Sequence, residues 1–242
     1  MKSNSIKLSR YDIQKGLKLP IKLTPDLAEL IGIHVGDGNM YIYDRTKNNM
    51  RWVTYSISYF GNLKTDKIYF EKYLIPLIYK LFRIKSKILI SKRDNTCILR
   101  IYSKGIVLFL KKFGIMPGKK VGGIPRIIKI NKELLSHFLR GLGDTDFSIS
   151  LKNKNGNLYP VIAMACANPI LAGDVSEALS MYGINNYLAL NVKRRDKRFP
   201  GKIYRTNFVE INGKKNLEKW INVIGFSNPA RFNVIKKLER PK

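Results

Sequence analysis

The sequence predicts an α+β fold made of two pseudo-symmetric αββαββα subdomains. Three observations predict it. Leu30-Ile31-Gly32-Ile33-His34-Val35-Gly36-Asp37-Gly38 and Leu139-Arg140-Gly141-Leu142-Gly143-Asp144-Thr145-Asp146-Phe147 share the pattern Leu-x-Gly-(Ile/Leu)-x-x-small-Asp, 109 residues apart. Ile101-Tyr102-Ser103-Lys104 recurs as Ile211-Asn212-Gly213-Lys214 at an offset of 110, and Phe60-Gly61-Asn62 as Cys166-Ala167-Asn168 at 106. The order of helical and extended patterns around these segments is the same in both copies. Three features repeating in order at one period mark a duplicated unit.

The elements of the first copy follow from local rules. Thr24 is an N-cap candidate, and Pro25 suits the first helical position, where its missing N–H would be unpaired anyway. That helix ends near Gly38. Strands follow over 40–44 and 51–59, the second rich in Trp52, Val53, Tyr55 and Ile57. The spacing of Ile68, Leu74, Ile75, Ile78 and Leu81 makes 65–82 a helix with one apolar face. Strands over 87–91 and 97–102 are joined by the polar turn Lys92-Arg93-Asp94-Asn95. A last helix over 104–113 stops at Gly114, a residue suited to the C′ position.

The second copy repeats this order. A helix is expected over 132–146, then strands over 147–152 and 158–167 around a turn containing Asn155-Gly156, a strong hairpin signal. A helix over 169–182 precedes strands over 187–192 and 204–211. These two flank the basic stretch Lys193-Arg194-Arg195-Asp196-Lys197-Arg198. A helix over 215–224 closes the unit. The expected limits are a basic N-terminal arm over 1–23, a first subdomain over 24–116, a linker over 117–130 whose glycines and prolines mark it, and a second subdomain over 131–242. A short helix is expected after Ser227.

Composition restricts the function classes. The 242 residues hold 45 Lys and Arg against 17 Asp and Glu, a net charge of +28. Self-repulsion at that charge is costly, and a polyanionic partner is the simplest explanation. At 45% hydrophobic and 11% aromatic the chain is too apolar for a disordered basic tail. Cys97 and Cys166 form no CxxC or Cys/His cluster, which excludes a zinc-ribbon or disulfide scaffold. With His34 and His137 the only histidines, His-rich metal chemistry has little to work with. The N-terminus lacks the apolar core of a secretory signal, and no apolar run approaches the ~18 residues of a membrane span. The expectation is an intracellular protein without a membrane partner, nucleoid-associated in the cytoplasm if prokaryotic.

The repeated motif has its own physical logic. Gly32 and Gly36 lie four apart on one helix face, as do Gly141 and Thr145. Small residues at that spacing let two helix backbones approach closely, and each copy's partner is the other. Under pseudo-two-fold symmetry the two C-terminal ends meet, carrying Asp37 and Asp146. Two carboxylates crowded at helix ends that already bear partial negative charge form a cation site of hard oxygen ligands suited to Mg²⁺. The alternative is that both acids are polar caps on core helices.

The two motifs resemble the LAGLIDADG motifs of single-chain homing endonucleases, and the stretch from Ile124-Pro125 to Asp146 is most similar to archaeal intron-encoded members. The resemblance covers about 24–226. It implies that the four-stranded antiparallel sheets of the two subdomains form a DNA-binding saddle. It also implies that Asp37 and Asp146 bind divalent metal with the backbone carbonyls of Gly36 and Thr145, and that each half cuts one strand to leave short 3′ overhangs. Mg²⁺ is the expected cofactor, with Mn²⁺ as a substitute, and double-stranded DNA the expected partner of a monomer. The departure from the pattern is Phe147, where the first copy has Gly38.

Phosphodiester hydrolysis needs a positioned water and neutralisation of developing charge, which metal ions supply without histidine. Lys104 and Lys214 occupy matched places after the last strand of each unit and are candidate catalytic helpers; the other reading is surface lysines opening helices. His34, one turn before Asp37, reads as a partly buried helix residue. Asp144 matches Val35 and reads as structural, and Cys166 as ordinary strand packing. DNA contacts are expected from Tyr41, Tyr43, Arg45, Lys47 and Arg51 on the first hairpin, Lys92 and Arg93 on the second, Lys152 and Lys154 on the third, and Lys193, Arg194, Arg195, Lys197, Arg198 and Arg205 on the fourth. Two further readings keep the fold: an intron RNA-binding splicing factor (maturase), and a DNA-binding protein that does not cut. Both acids are intact, which favours cleavage. An intein-embedded version is disfavoured, because no splicing domain surrounds the repeats.

Overall fold

The computed structural model describes residues 6–47, 49–195 and 200–238. After a short helix α1 (Arg10–Gln14), the first unit runs α2 (Pro25–Gly36), β1 (Gly38–Lys47), β2 (Met50–Asn62), α3 (Lys67–Tyr69), a π turn (Phe70–Leu74), α4 (Ile75–Phe82), β3 (Ile88–Ser91), β4 (Thr96–Tyr102) and α5 (Lys104–Lys111). A short α6 (Arg126–Lys129) precedes the second unit: α7 (Lys132–Asp146), β5 (Phe147–Lys154), β6 (Asn157–Cys166), α8 (Pro169–Met181), β7 (Tyr187–Arg195), β8 (Ile203–Asn212) and α9 (Lys214–Val223). Helix α10 (Pro229–Leu238) follows. The two sheets are antiparallel and have matching orders, β1-β2-β4-β3 and β5-β6-β8-β7.

Caps fix the helix starts. The side chains of Thr24, Ser103, Asn131 and Asn168 accept backbone N–H bonds at the N-termini of α2, α5, α7 and α8, satisfying donors that no helix can pair internally. Alternation fixes the strand faces. In β1, Met40 is buried and Tyr41 and Tyr43 are exposed; in β2, Ile57 and Tyr59 are buried and Phe60 is exposed. Helices cover one face of each sheet, and a single hydrophobic core runs through both units. Asn155 and Gly156 both take positive φ, 53° and 83°, as a two-residue hairpin turn requires.

Four features depart from the sequence expectation. The linker contains α6, held by Lys129, whose Nζ lies 2.8 Å from Asp174 and 2.6 Å from Glu177 of α8. The stretch read as a basic arm contains α1 and packs on the first unit. The 65–82 helix has a π turn in its middle. The basic stretch read as a connection begins inside β7: Lys193, Arg194 and Arg195 pair with Arg205, Tyr204 and Ile203. A register shift between Ala189 and Val192, with Asn191 at φ 56°, lets the strand continue.

Candidate active site and nucleic-acid face

Helices α2 and α7 touch backbone to backbone. A Cβ on Gly32 would overlap the Phe138 carbonyl, and one on Gly141 the Glu29 carbonyl. One turn further on, Gly36 faces the Thr145 side chain. Gly32, Gly36, Gly141 and Thr145 therefore lie in one seam, and the seam brings the two C-terminal ends together. Asp37 caps α2, its N–H donating to the Ile33 carbonyl at 3.0 Å. Asp146 is the last residue of α7. Strands β1 and β5 leave directly from these acids, so both sheets start at the carboxylate pair.

The electrostatics record this crowding. Burial, then the neighbouring Asp146, pushes the Asp37 carboxyl up to about 6; Asp66 adds to this, and Lys120 and Arg231 oppose it. Burial also raises Asp146 against the same two cations. Lys120 Nζ donates to the Gly36 carbonyl. Arg231, in α10, donates from Nη2 to the carbonyls of Asp144 at 3.1 Å and Thr145 at 3.2 Å. The carbonyl before each acid thus already carries a protein cation. This donor set of two carboxylates and two carbonyls fits a hard divalent ion, with ammonium and guanidinium standing in its neighbourhood. No group of three or more His, Cys, Asp or Glu side chains gathers among the described residues.

Lys120 and Arg231 were not singled out from the sequence. The signal was available: they lie 111 residues apart, close to the offset of the repeat. Lys104 and Lys214 are not brought to the acids. Lys104 opens α5 with Nζ 5.9 Å from the Tyr55 ring centre, and Tyr55 pairs with Ile42, five residues along from Asp37. Lys214 opens α9 after Gly213, at the equivalent end of the second sheet. Neither is among the charges that perturb Asp37 or Asp146. His34 is buried with its ring edge-on to Tyr59, 5.6 Å between centres, and burial pushes it down to about 3, so it is neutral. Asp144 is buried and structural: it accepts N–H bonds from Ser227 and Asn228 at 2.9 Å each. Phe147 points into the core, 5.1 Å from Trp220, so replacing the motif glycine there leaves Asp146 in place. Cys166 is half-buried at the end of β6.

The strand registers sort the candidate DNA contacts by face. Tyr41, Tyr43 and Arg45 line a groove on the open face of the first sheet with Ser56, Arg100 and Tyr102. Arg45 stacks on Tyr43 at 4.2 Å. Arg51 is on the other face, its Nε 3.0 Å from both oxygens of Asp44. Lys92 and Arg93 are exposed on the β3–β4 turn, with Arg93 3.1 Å from Asp94. Lys152 pairs with Glu210 at 3.1 Å. Arg194 lies over Phe208 at 4.4 Å, which puts it on the face of Phe208; Lys193, Arg195 and Arg205 take the opposite face of the same strand ends. Lys47 and Lys154 end β1 and β5, but their side chains are outside the described residues, as are Lys197 and Arg198. Arg100, 3.1 Å from Ser58 Oγ, is an addition the sequence reading missed.

Comparison with known proteins agrees with this fold. A LAGLIDADG-like domain model matches residues 133–225. The structure of I-DmoI in complex with DNA and Ca superposes at a TM-score of 0.59 over 88% of this chain and 97% of that one, at 21% identity. This is the LAGLIDADG homing endonuclease fold. The I-LtrWI LAGLIDADG homing endonuclease bound to target DNA gives the same score over 88% of this chain and 89% of that one, at 14% identity. In sequence, a DNA polymerase of Thermococcus hydrothermalis is 29% identical over 83% of this chain and 11% of its own length. A ribonucleoside-diphosphate reductase NrdEB subunit alpha of Bacillus subtilis is 26% identical over 90% and 21% respectively. The chain therefore spans between about a tenth and a fifth of the length of the curated relatives it matches.

Proposed function

We propose that this protein is a site-specific DNA endonuclease that makes a metal-dependent staggered double-strand cut at a long asymmetric target, acting as a monomer encoded by a mobile intron. The observation that carries the reading is the meeting of Asp37 and Asp146 at the origin of two basic, aromatic sheet faces. The duplex would lie along those faces. Tyr41, Tyr43, Arg45 and Arg100 of the first sheet, with Lys152 and Arg194 of the second, would share the work of reading base edges and holding phosphates.

Asp37 and Asp146, with the Gly36 and Thr145 carbonyls, would hold Mg²⁺, or Mn²⁺ in its place. A bound divalent ion there supplies an acidified water and charge neutralisation at phosphate. The chain's own part is positioning. The glycine seam fixes the spacing of the carboxylates. Partial burial of both carboxylates strengthens each charge interaction there. Lys120 and Arg231 lie where negative charge would build on a bridging phosphate, and each can leave its carbonyl for a phosphate oxygen.

The test is cleavage of a randomised duplex library with Mg²⁺ by wild type, Asp37→Asn and Asp146→Asn. The expected result is cutting of one long asymmetric site by wild type, and loss of cutting or single-strand nicking by each variant. Tight duplex binding by wild type without any cutting would remove the enzyme and leave the fold, with intron RNA as the next ligand to try.

A further inference from the structure

Asp12 is the sole acid in residues 6–23 and is fully buried. Its carboxylate accepts from Ser103 Oγ at 2.6 Å and from the Gly105 N–H at 3.0 Å, both at the start of α5. Within its own turn it accepts from the Ser9 N–H at 3.0 Å and Oγ at 2.7 Å. Leu8 and Leu17 press on Gly105 from the same side. The segment is therefore clamped to the turn that carries Lys104. Clamping uses its one negative charge internally, while Lys7, Arg10, Lys15, Lys18 and Lys22 all remain exposed.

Part of that charge sits beside the open sheet face. A cleft between α1 and the outer ends of β2 and β4 is lined by Ser9, Tyr11, Thr54, Tyr102 and Lys104. Thr54 and Tyr102 also line the groove on the open face of the first sheet, so the two surfaces are continuous. Lys15 lies over the exposed Tyr11 ring at 4.2 Å. Among the described residues Arg10, Lys15 and Lys104 form no ion pair with an acid. The short helix before the other motif helix differs: Lys129 of α6 is paired with Asp174 and Glu177.

We infer that the face of α1 carrying Arg10 and Lys15, with Lys104, is a second phosphate-binding surface, which holds duplex DNA flanking the half-site of the first subdomain. The inference rests on the DNA reading above and adds to it an asymmetric extension of the contact. Cations already fixed on a folded surface lose little freedom when they meet phosphate. They add to affinity through counterion release without reading sequence.

The test is the salt dependence of binding to a 40-base-pair duplex of mixed sequence, followed by fluorescence anisotropy without divalent metal. The triple variant Arg10→Gln/Lys15→Gln/Lys104→Gln is compared with Lys18→Gln/Lys22→Gln/Lys85→Gln. The control removes the same charge from the helix side, where the Lys18 N–H bonds the Phe82 carbonyl at 3.0 Å. Thermal melts establish that both variants are folded. The first variant is expected to lower the log–log slope by about 2 to 3, at roughly 0.9 per phosphate contact, and the control to leave it at the wild-type value. An unchanged slope in the first variant, or an equal fall in the control, overturns the extension while leaving the DNA reading intact. Absence of wild-type binding even at low salt would overturn the DNA reading, and the extension with it.

Discussion

Asp37 shows at the level of one residue how function and stability oppose each other. Its carboxyl is pushed up to about 6 by burial and by Asp146, with Asp66 adding to the push and Lys120 and Arg231 opposing it. A carboxyl raised in the fold binds its proton more tightly there than in the unfolded chain. The folded state therefore holds more protons between about pH 4 and 6, and stability falls as pH rises through that window. At neutral pH the charge costs about 1 to 3 kcal/mol, at ~1.4 kcal/mol per pKa unit. Asp37→Asn is expected to abolish double-strand cutting, yet to melt higher than wild type at pH 7.5 without metal, with the gap closing toward pH 4.5. Melting curves across that range decide it, and equal curves at every pH would refute the account. The two acids were legible in the sequence because an acid at a helix C-terminus is locally unfavourable and occurs twice. Lys120 and Arg231 left only a faint trace, their spacing of 111 residues. One stands in a glycine-rich linker and the other beyond the second unit, and only tertiary folding sets them on the carbonyls of Gly36 and Thr145.

Among the elements, the α2–α7 seam dominates. At Gly141 a side chain would meet the Glu29 carbonyl and the Ile33 nitrogen, neither of which can move without shifting a helix. Gly141→Val is expected to cost about 2 to 4 kcal/mol, the range of severe overpacking. Gly173 in α8 is a contrasting site, since a Cβ there meets nothing within 4 Å. Gly173→Ala should stabilise by about 0.5 to 1 kcal/mol through helix propensity alone. Urea unfolding of the two variants gives opposite shifts if close backbone approach is the reason for the first glycine. The seam could be read from sequence because it depends on small residues four apart, and α7 spans the expected residues for the same kind of local reason. Elements held by distant partners escaped. Helix α6 is four residues tied by Lys129 to α8, and α1 is five residues tied by Asp12 to α5. The continuation of β7 into Lys193, Arg194 and Arg195 depends on a bulge and on the facing strand β8, and a run of basic residues carries no strand signal of its own.

At the scale of the whole molecule, duplication gives two half-sites that are alike in plan and unlike in detail. Each carbonyl before an acid receives a cation from the segment that follows its own unit, Lys120 after the first and Arg231 after the second. The two cations are not equivalent. Lys120 bonds the Gly36 carbonyl, and although both cations act on both carboxylates, Lys120 acts the more strongly on each. Arg231 reaches the second unit's carbonyls through α10, and of the charges that oppose Asp37's shift it is the weaker. A non-palindromic target would then be cut by two sites with different charge supply. Lys120→Met should slow both strands together. Arg231→Met should slow one strand more than the other, so that a duplex nicked always in the same strand accumulates. Strand-specific end labels on the selected target, followed over time, separate these outcomes. Equal slowing of both strands by Arg231→Met would mean that the acids act as one shared site. Persistence of one fast cut would mean that the halves keep separate chemistry after fusion into one chain.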